Sequence, residues 1–196
     1  MLVRVKPRWR EPAFDTGEKS NAKETGADRR PSCRWCGSGD AHTSLETKEA
    51  PVGASYKTVF RVPHGCEGKP TNVVRVLIPE GVIAVKPMPK PGWILETVSG
   101  AYEKAYDNHG TPTKEGVKEV LWKGGNLGDD EYDEFVVRVF LTPDLPVGKI
   151  LYFPTVQECS ANAVERWIEI PAEGQSGDDL EFPAPGVKLL EKARGH

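Results

Sequence analysis

The sequence has few of the residues, and none of the long hydrophobic runs, that identify common functional classes. Its 196 residues include four histidines, four cysteines and two methionines. No segment approaches the roughly 18 consecutive apolar residues that a membrane-spanning helix requires, so we expect no membrane span in this chain. It has no HExxH, Walker or dinucleotide-binding motif, and no Ser/His/Asp or Cys/His pattern stands out. We therefore predict that the protein is not an enzyme.

A concentrated basic surface is also missing. The formal net charge is −3 at pH 7, and the excess of Lys and Arg lies in residues 1–41, whereas the remainder is acidic. Binding to a phosphate backbone needs positive charge gathered on one face of the folded domain. We therefore expect no nucleic-acid partner.

Residues 1–41 lack the apolar content of a folded segment. After the initial Met-Leu-Val, no apolar run there is longer than two residues. Such a segment cannot bury enough surface to offset the entropy lost on ordering, so we predict that it is disordered. It also lacks the apolar core of about 7–15 residues that a secretory signal contains.

The rest of the chain alternates apolar and polar residues with a period of two. The segments SYKTVFRV and YDEFVVRVFL are typical of half-buried strands. Frequent glycine and proline favour short strands over long helices. We predict strands at 55–62, 72–79, 82–87, 93–98, 115–122, 132–141, 149–156 and 163–170. This spacing predicts an antiparallel β-sandwich of about nine strands, in which LEFPAPGVKLL could add one edge strand.

The segment VPHGCEGKPT places three side chains that can bind metals directly after a predicted strand. His64, Cys66 and Glu67 lie within four residues of each other. Imidazole, thiolate and carboxylate groups all bind metal ions, so the segment could contribute to a metal site. The alternative is a hairpin turn with a structural cysteine and a solvated histidine and glutamate. The residues alone favour the turn.

Cysteine usage leaves two alternatives for the folded part. Cys66 and Cys159 each follow a predicted strand and could form a disulfide, which would require an oxidising compartment. A copper site with a thiolate ligand is the alternative, but its histidines usually lie closer in sequence, so we favour the disulfide. Cys33 and Cys36 have the spacing of half a zinc site, but no second pair complements them.

Several motifs together resemble the YcnI-like family of bacterial exported copper-binding proteins. They are RVPHGCEGKPT, KPGW, DEYDEF, LYFPTVQEC and RWIEIPAEGQ, and the similarity covers residues 42–185. The resemblance implies a β-sandwich of fibronectin-III or cupredoxin-like appearance in the periplasm or outside the cell. It also implies binding of Cu(II), as a copper chaperone or buffer, with other periplasmic copper-handling proteins as possible partners.

The resemblance also implies a set of copper ligands. In this family a signal peptide is removed before a histidine, which then binds copper through its amine and its imidazole as a one-histidine brace. The matching residue is His42, after Ala41. Glu67 is the nearest match for a carboxylate ligand, with His64 as an alternative, and Trp167 matches a tryptophan that lies over the metal. Nitrogen donors of this kind suit Cu(II).

The brace requires a free amine on His42, which an internal residue does not have. We therefore interpret residues 1–41 as a leader that is not the native N-terminus, rather than as a sign that this member has lost export.

The predicted organisation is this leader, a copper-binding domain at 42–185 and a tail at 186–196. Two other functions are alternatives: a metal-free β-sandwich that binds protein partners, and a copper oxygenase. The single brace histidine and the covering Trp167 argue against the oxygenase.

Overall fold

The computed structural model describes residues 42–192. The predicted leader, with Cys33 and Cys36, lies outside this range. The described residues form two short 3-10 turns, Ser160–Asn162 and Gly177–Asp179, and no α-helix. They contain no helix long and apolar enough to cross a membrane. The strands are β1 (Ser44–Leu45), β2 (Glu49–Pro51), β3 (Ala54–Val62), β4 (Thr71–Leu77), β5 (Val82–Pro87), β6 (Ile94–Asn108), β7 (Thr111–Leu127), β8 (Asp133–Leu141), β9 (Ile150–Tyr152), β10 (Thr155–Cys159), β11 (Val164–Trp167) and β12 (Gly186–Leu190).

These strands form three sheets. Four strands pair in the order β1-β3-β8-β5, five in the order β11-β10-β4-β7-β6, and three in the order β2-β12-β9. All pairs among the described strands are antiparallel except β2 with β12. The predicted antiparallel β-sandwich is therefore confirmed. The structure has more strands than the nine or so predicted because several are only two or three residues long, too short for a period-two pattern.

The core lies between the four-stranded and five-stranded sheets. Both strongly alternating strands, β3 and β8, turn their apolar residues inward as their pattern predicts. Phe135 packs edge-on against Trp93, with ring centroids 4.9 Å apart, and in a tilted arrangement against Trp122, with centroids 5.3 Å apart. The fully buried core side chains of these sheets include Phe60, Val62, Val74, Val76, Val120, Trp122, Phe135, Val137 and Leu141.

The predicted strand 149–156 is two strands in different sheets. The chain leaves the three-stranded sheet after β9 and enters the five-stranded sheet at β10. Pro154 has no N–H to continue a ladder, although its carbonyl accepts a hydrogen bond from the Leu77 N–H at 2.9 Å. Phe153 is fully buried at the crossing and packs edge-on against Phe60 at 5.7 Å. This crossing brings β10 beside β4, where it carries residues of the candidate site.

The hairpin of β6 and β7 is longer than predicted. The sequence predicted strands at 93–98 and 115–122, whereas β6 runs from Ile94 to Asn108 and β7 from Thr111 to Leu127. Most residues in the part of β6 beyond the predicted strand are exposed on both faces of the sheet. This part therefore lacks the alternation of apolar and polar residues that predicts a strand. His109 and Gly110 form the two-residue turn of this hairpin, with φ of 53° and 87°.

Strand β12 extends the folded domain beyond the boundary predicted at residue 185. It is the middle strand of its sheet rather than an edge strand. Val187 and Leu189 are fully buried. Its position is possible because Pro183 and Pro185 precede the strand and leave its N–H groups free to pair.

Cys66 and Cys159 form a disulfide, as predicted. The S–S distance is 2.02 Å, the Cα atoms are 5.9 Å apart, and the bond joins residues separated by 93 positions. It connects the turn after β3 to the end of β10. Because both sulfur atoms are in this bond, neither is a thiolate that could bind copper, and the alternative of a Cys-containing copper site is excluded in this oxidised form.

We expect removal of this disulfide to destabilise the domain. The loop-entropy model gives roughly 4–5 kcal/mol for a loop of this length, and 2–5 kcal/mol is typical for native disulfides. Urea unfolding of a Cys66→Ala/Cys159→Ala variant, compared with the parent protein, measures the loss. Both proteins should carry Cys33→Ser and Cys36→Ser, so that no other thiol contributes. Equal midpoints would contradict the prediction.

We also expect Tyr56 to make stability depend on alkaline pH. Its hydroxyl donates a hydrogen bond of 2.5 Å to the Thr47 carbonyl, and burial, with a contribution from Glu46, raises the pKa of Tyr56 from 10.0 to about 12. The folded state holds this proton more tightly than the unfolded state, so the stabilisation is complete below pH 10 and is lost as the pH rises toward 12.

Replacement of Tyr56 by Phe tests this. At pH 7 the variant should lose about 1 kcal/mol of unfolding free energy, the usual contribution of one hydrogen bond. Between pH 10 and 12 the difference from the parent protein should shrink, because phenylalanine cannot ionise. Urea unfolding across this pH range measures the difference, and a constant difference would contradict the assignment.

Candidate functional site

Two residues that the sequence assigns to one site lie in contact in the structure. His42, just before β1, and Trp167, the last residue of β11, have ring centroids 5.5 Å apart and ring planes inclined by 56°. Trp167 is buried, with 3% of its surface exposed, and His42 is half-buried. The fold thus packs His42, the first described residue, against β11, which lies near the C-terminal end of the described domain.

Trp167 is held by a buried glutamine. Its indole Nε1 donates a hydrogen bond of 3.2 Å to Gln157 Oε1. The Gln157 Nε2 donates to the carbonyl of His64 and to Thr71 Oγ1, both at 2.6 Å. Only 1% of Gln157 is exposed. This side chain therefore fixes the indole and the backbone at His64 relative to each other.

Sequence reasoning did not identify Gln157. The signal that could have found it is a polar residue at an inward-facing position of a strand, between Thr155 and Cys159 in TVQEC. A buried polar group of this kind needs hydrogen-bond partners, and such groups often organise a site.

The segment after β3 is a tight hairpin turn. Cys66 and Lys69 exchange two backbone hydrogen bonds of 2.9 Å, and Glu67 and Gly68 between them have φ of 49° and 77°. Positive φ at both central residues is typical of a type I′ turn. Glu67 is therefore exposed at the tip of a hairpin turn. This agrees with the hairpin-turn alternative that the sequence favoured for this segment. The backbone conformation of Glu67 is one that favours glycine.

His64 precedes this turn, and the next residue, Gly65, lies close to the loop between β7 and β8. His64 is half-buried, and its Nδ1 lies against the carbonyl oxygen of Gly65. The backbones are close here, since a Cβ on Gly65 would lie 2.1 Å from the Lys69 carbonyl oxygen and 3.2 Å from the Asp129 Cα. Only glycine can occupy position 65 without moving the turn or the loop.

A carboxylate that sequence reasoning missed lies in the same region. Glu165 pairs with Gln157 across β10 and β11, and it is two residues before Trp167, so both side chains point to the same side of the sheet. Burial raises the pKa of the Glu165 carboxyl. His64 acts in the opposite direction, whereas Asp129 and Glu67 raise it further. Glu165 is therefore within electrostatic range of His64, Glu67 and Asp129.

One oxygen of Glu165 is left without a partner. Its Oε2 is buried and has no hydrogen bond to any group in residues 42–192. A buried carboxylate oxygen in this state is unfavourable unless another group satisfies it. The sequence signal would have been a charged residue on the same face as Trp167 in AVERWIEI.

The side chains of this region include residue types that can bind a metal ion. Within residues 42–192 no three His, Cys, Asp or Glu side chains are already assembled as a metal cluster. A one-histidine brace does not require such a cluster, because one residue provides both nitrogen donors. Imidazole and carboxylate groups, such as those of His42 and Glu67, are ligand types that Cu(II) accepts.

The site is open to solvent through a cleft beside His42. The cleft has a volume of about 460 Å³. Its walls come from the start of the domain, from β9 and from the segment between β11 and β12; the lining residues include Lys48, Ile150, Tyr152, Ser176 and Asp178. An ion or a partner protein could therefore reach His42 without opening the core.

We expect loss of the Gln157 amide to disturb the site and the fold together. In a Gln157→Leu variant the buried Trp167 N–H has no acceptor, which costs about 1–3 kcal/mol. Urea unfolding should show this loss, and tryptophan emission should shift as the environment of Trp167 changes. The exposed Gln175 provides the control, since Gln175→Leu removes a single bond to the Ala172 N–H and should change both measurements little. Equal effects of the two substitutions would contradict the role assigned to Gln157.

Comparison with known proteins supports the fold and identifies the family. No curated protein matches this chain. A crystal structure of an uncharacterized protein from Nocardia farcinica, described as having an immunoglobulin-like fold, is similar with a TM-score of 0.58 and 24% identity, over 76% of this chain and 98% of that one. A DUF4466 family protein from Parabacteroides merdae has a TM-score of 0.27 and 12% identity over 64% of this chain and 42% of that chain, too little for any argument.

The similarity to the Nocardia farcinica structure supports an immunoglobulin-like β-sandwich. At 24% identity this similarity concerns the fold alone. A family model matches most of the described domain. It is described as a domain of unknown function, DUF1775, and it covers residues 42–189, which include His42, the disulfide and Trp167. The chain belongs to the DUF1775 family.

Proposed function

We propose that the protein binds one Cu(II) ion outside the cytoplasm, as a copper chaperone or buffer, in a form whose first residue is His42. The observation that carries this proposal is the packing of His42 against Trp167 at 5.5 Å. The motifs that resemble the YcnI-like family imply that these two residues share a copper site. The fold brings them together from opposite ends of the domain.

The chemistry of the brace follows from the two nitrogen atoms of an N-terminal histidine. The amine and the imidazole of His42 would bind the ion as a chelate, and nitrogen donors favour Cu(II) over the other divalent first-row metals. Both groups must lose a proton to bind, so copper affinity should fall on acidification. The indole of Trp167 would limit solvent access to the ion, and Glu67 or His64 would supply a further donor.

The disulfide supports a location outside the cytoplasm. Bonds such as Cys66–Cys159 form and persist in oxidising compartments, of which the periplasm is one. Export would also provide the proteolytic step that gives His42 a free amine. Other copper-handling proteins of the same compartment are the partners that this function implies.

We expect copper binding to depend on the N-terminus. Two proteins should be compared by Cu(II) titration, the full chain and a form that begins at His42, with tryptophan fluorescence and electron paramagnetic resonance as readouts. The form that begins at His42 should bind one copper tightly, with quenched emission, and the full chain should bind much more weakly. Binding by the shorter form should also weaken as the pH is lowered.

Three variants of the shorter form act as controls. His42→Ala should abolish tight binding, and His109→Ala, at the tip of the β6–β7 hairpin, should not change it. Trp167→Phe should retain the copper signal in the resonance spectrum and lose most of the quenching. Equal binding by the long and short forms would assign the ion to His64 and Glu67, and no binding by either would favour a metal-free interaction module.

A further inference from the structure

We infer that a second cleft of the domain, built from the motifs KPGW and DEYDEF, binds a neutral carbohydrate. Its lining residues are Trp93, Asn126, Leu127, Glu131, Tyr132 and Asp133. The cleft has a volume of about 450 Å³, within the range of roughly 300–1,000 Å³ that is typical of small-molecule sites. It shares no lining residue with the cleft beside His42, and the copper proposal uses none of its side chains.

An ion pair joins the two motifs into one structure. In KPGW, the Trp93 N–H donates a hydrogen bond of 3.1 Å to the Lys90 carbonyl, and Gly92 has a φ of 79°. Proline followed by glycine with positive φ is typical of a type II turn. The Lys90 Nζ lies 2.5 Å from Asp133 Oδ1 in DEYDEF. The turn that presents Trp93 is therefore fixed against the segment that supplies much of the cleft.

The indole of Trp93 is supported by the fold and keeps an unused hydrogen-bond donor. A Cβ on Gly125 would lie 2.1 Å from Cε2 of this ring, so only glycine permits the ring position, and the ring also packs edge-on against Phe135. Among the three tryptophans that the structure describes, Trp122 and Trp167 donate their indole N–H to an oxygen of the domain. The Trp93 N–H has no acceptor within the described domain. It can therefore donate to a ligand.

The exposed lining residues are accessible, and two of them are already held in place. Tyr132 provides a second aromatic ring that is 54% exposed, and its hydroxyl donates to the Glu134 carboxylate. Glu131 accepts a hydrogen bond of 2.8 Å from the Gly128 N–H through Oε2. The Asn126 side chain is exposed beside them. Because the ring of Tyr132 and the carboxylate of Glu131 are ordered before a ligand arrives, binding costs little side-chain entropy.

The chemistry of this lining suits a neutral polyhydroxy ligand better than a cation. Glu131 and Asp133 offer carboxylate acceptors, and the Trp93 N–H and the Asn126 amide add donors. Sugar hydroxyls both donate and accept, and the C–H faces of a sugar ring present apolar surface to aromatic side chains. A cation would leave the donors unused. It would also compete with Lys90, which already neutralises Asp133.

Saturation-transfer NMR on the full chain tests this inference. The probes are cellobiose, lactose, mannobiose and chitobiose, with tetramethylammonium as the cationic alternative. We expect at least one disaccharide to bind and to shift the indole N–H signal of Trp93, which a Trp93→Phe variant identifies by its loss. Tyr132→Ala should weaken binding by about tenfold, because the sugar loses one of two aromatic contacts. Tyr132→Phe should bind as the parent does, since the ring remains and the hydroxyl is directed to Glu134.

A pair of charge-matched variants provides a second control. Glu131→Gln should weaken binding, because hydrogen bonds to a charged acceptor are stronger than those to an amide. Glu115→Gln removes the same charge from an exposed position of β7 that does not line the cleft and should have no effect. Binding of none of the disaccharides, binding of tetramethylammonium alone, or equal disaccharide binding by Tyr132→Ala and the parent would each overturn the inference. These outcomes do not depend on copper binding at His42.

Discussion

The buried amide of Gln157 is the interaction on which the arrangement of this end of the domain depends. Its oxygen holds the indole of Trp167, and its nitrogen holds the backbone at His64. Two residues later on the same strand, Cys159 is bonded to Cys66. The turn after β3 is therefore attached to β10 twice, once covalently and once through a hydrogen bond. A one-residue change in the register of β10 would turn Gln157 away from both partners, so this register determines the site.

The sandwich supplies the rigidity that such a site needs. The aromatic core around Phe135 and Trp122 is fully buried, and the site lies where strands of the five-stranded sheet meet the first described residues. Side chains of short strands and turns carry the candidate chemistry, while the long strands provide the frame. The same division between a packed scaffold and functional loops is common in β-sandwich proteins.

Glutamates on the two sides of one sheet have opposite surroundings. Glu158 is on the outer side and shares Arg75 with Glu119, which is a structural arrangement of surface charges. Glu165 is on the inner side, near His64 and other carboxylates, with one buried oxygen that no group in residues 42–192 satisfies. The first arrangement is complete within the described domain. The second leaves a buried carboxylate oxygen unsatisfied, which is unfavourable in the absence of another group.

The sequence by itself determined the class of fold and the alternation that builds β3 and β8, because these depend on local periodicity. It favoured the pairing of Cys66 with Cys159, which the structure then decided. It also indicated His42 and Trp167 through motif resemblance. Only the tertiary structure decided that the chain changes sheets at Phe153, that β12 is an inner strand, and that Gln157 and Glu165 belong beside Trp167. Their partners lie far along the chain, and contacts at that distance depend on strand order and register, which no local pattern encodes.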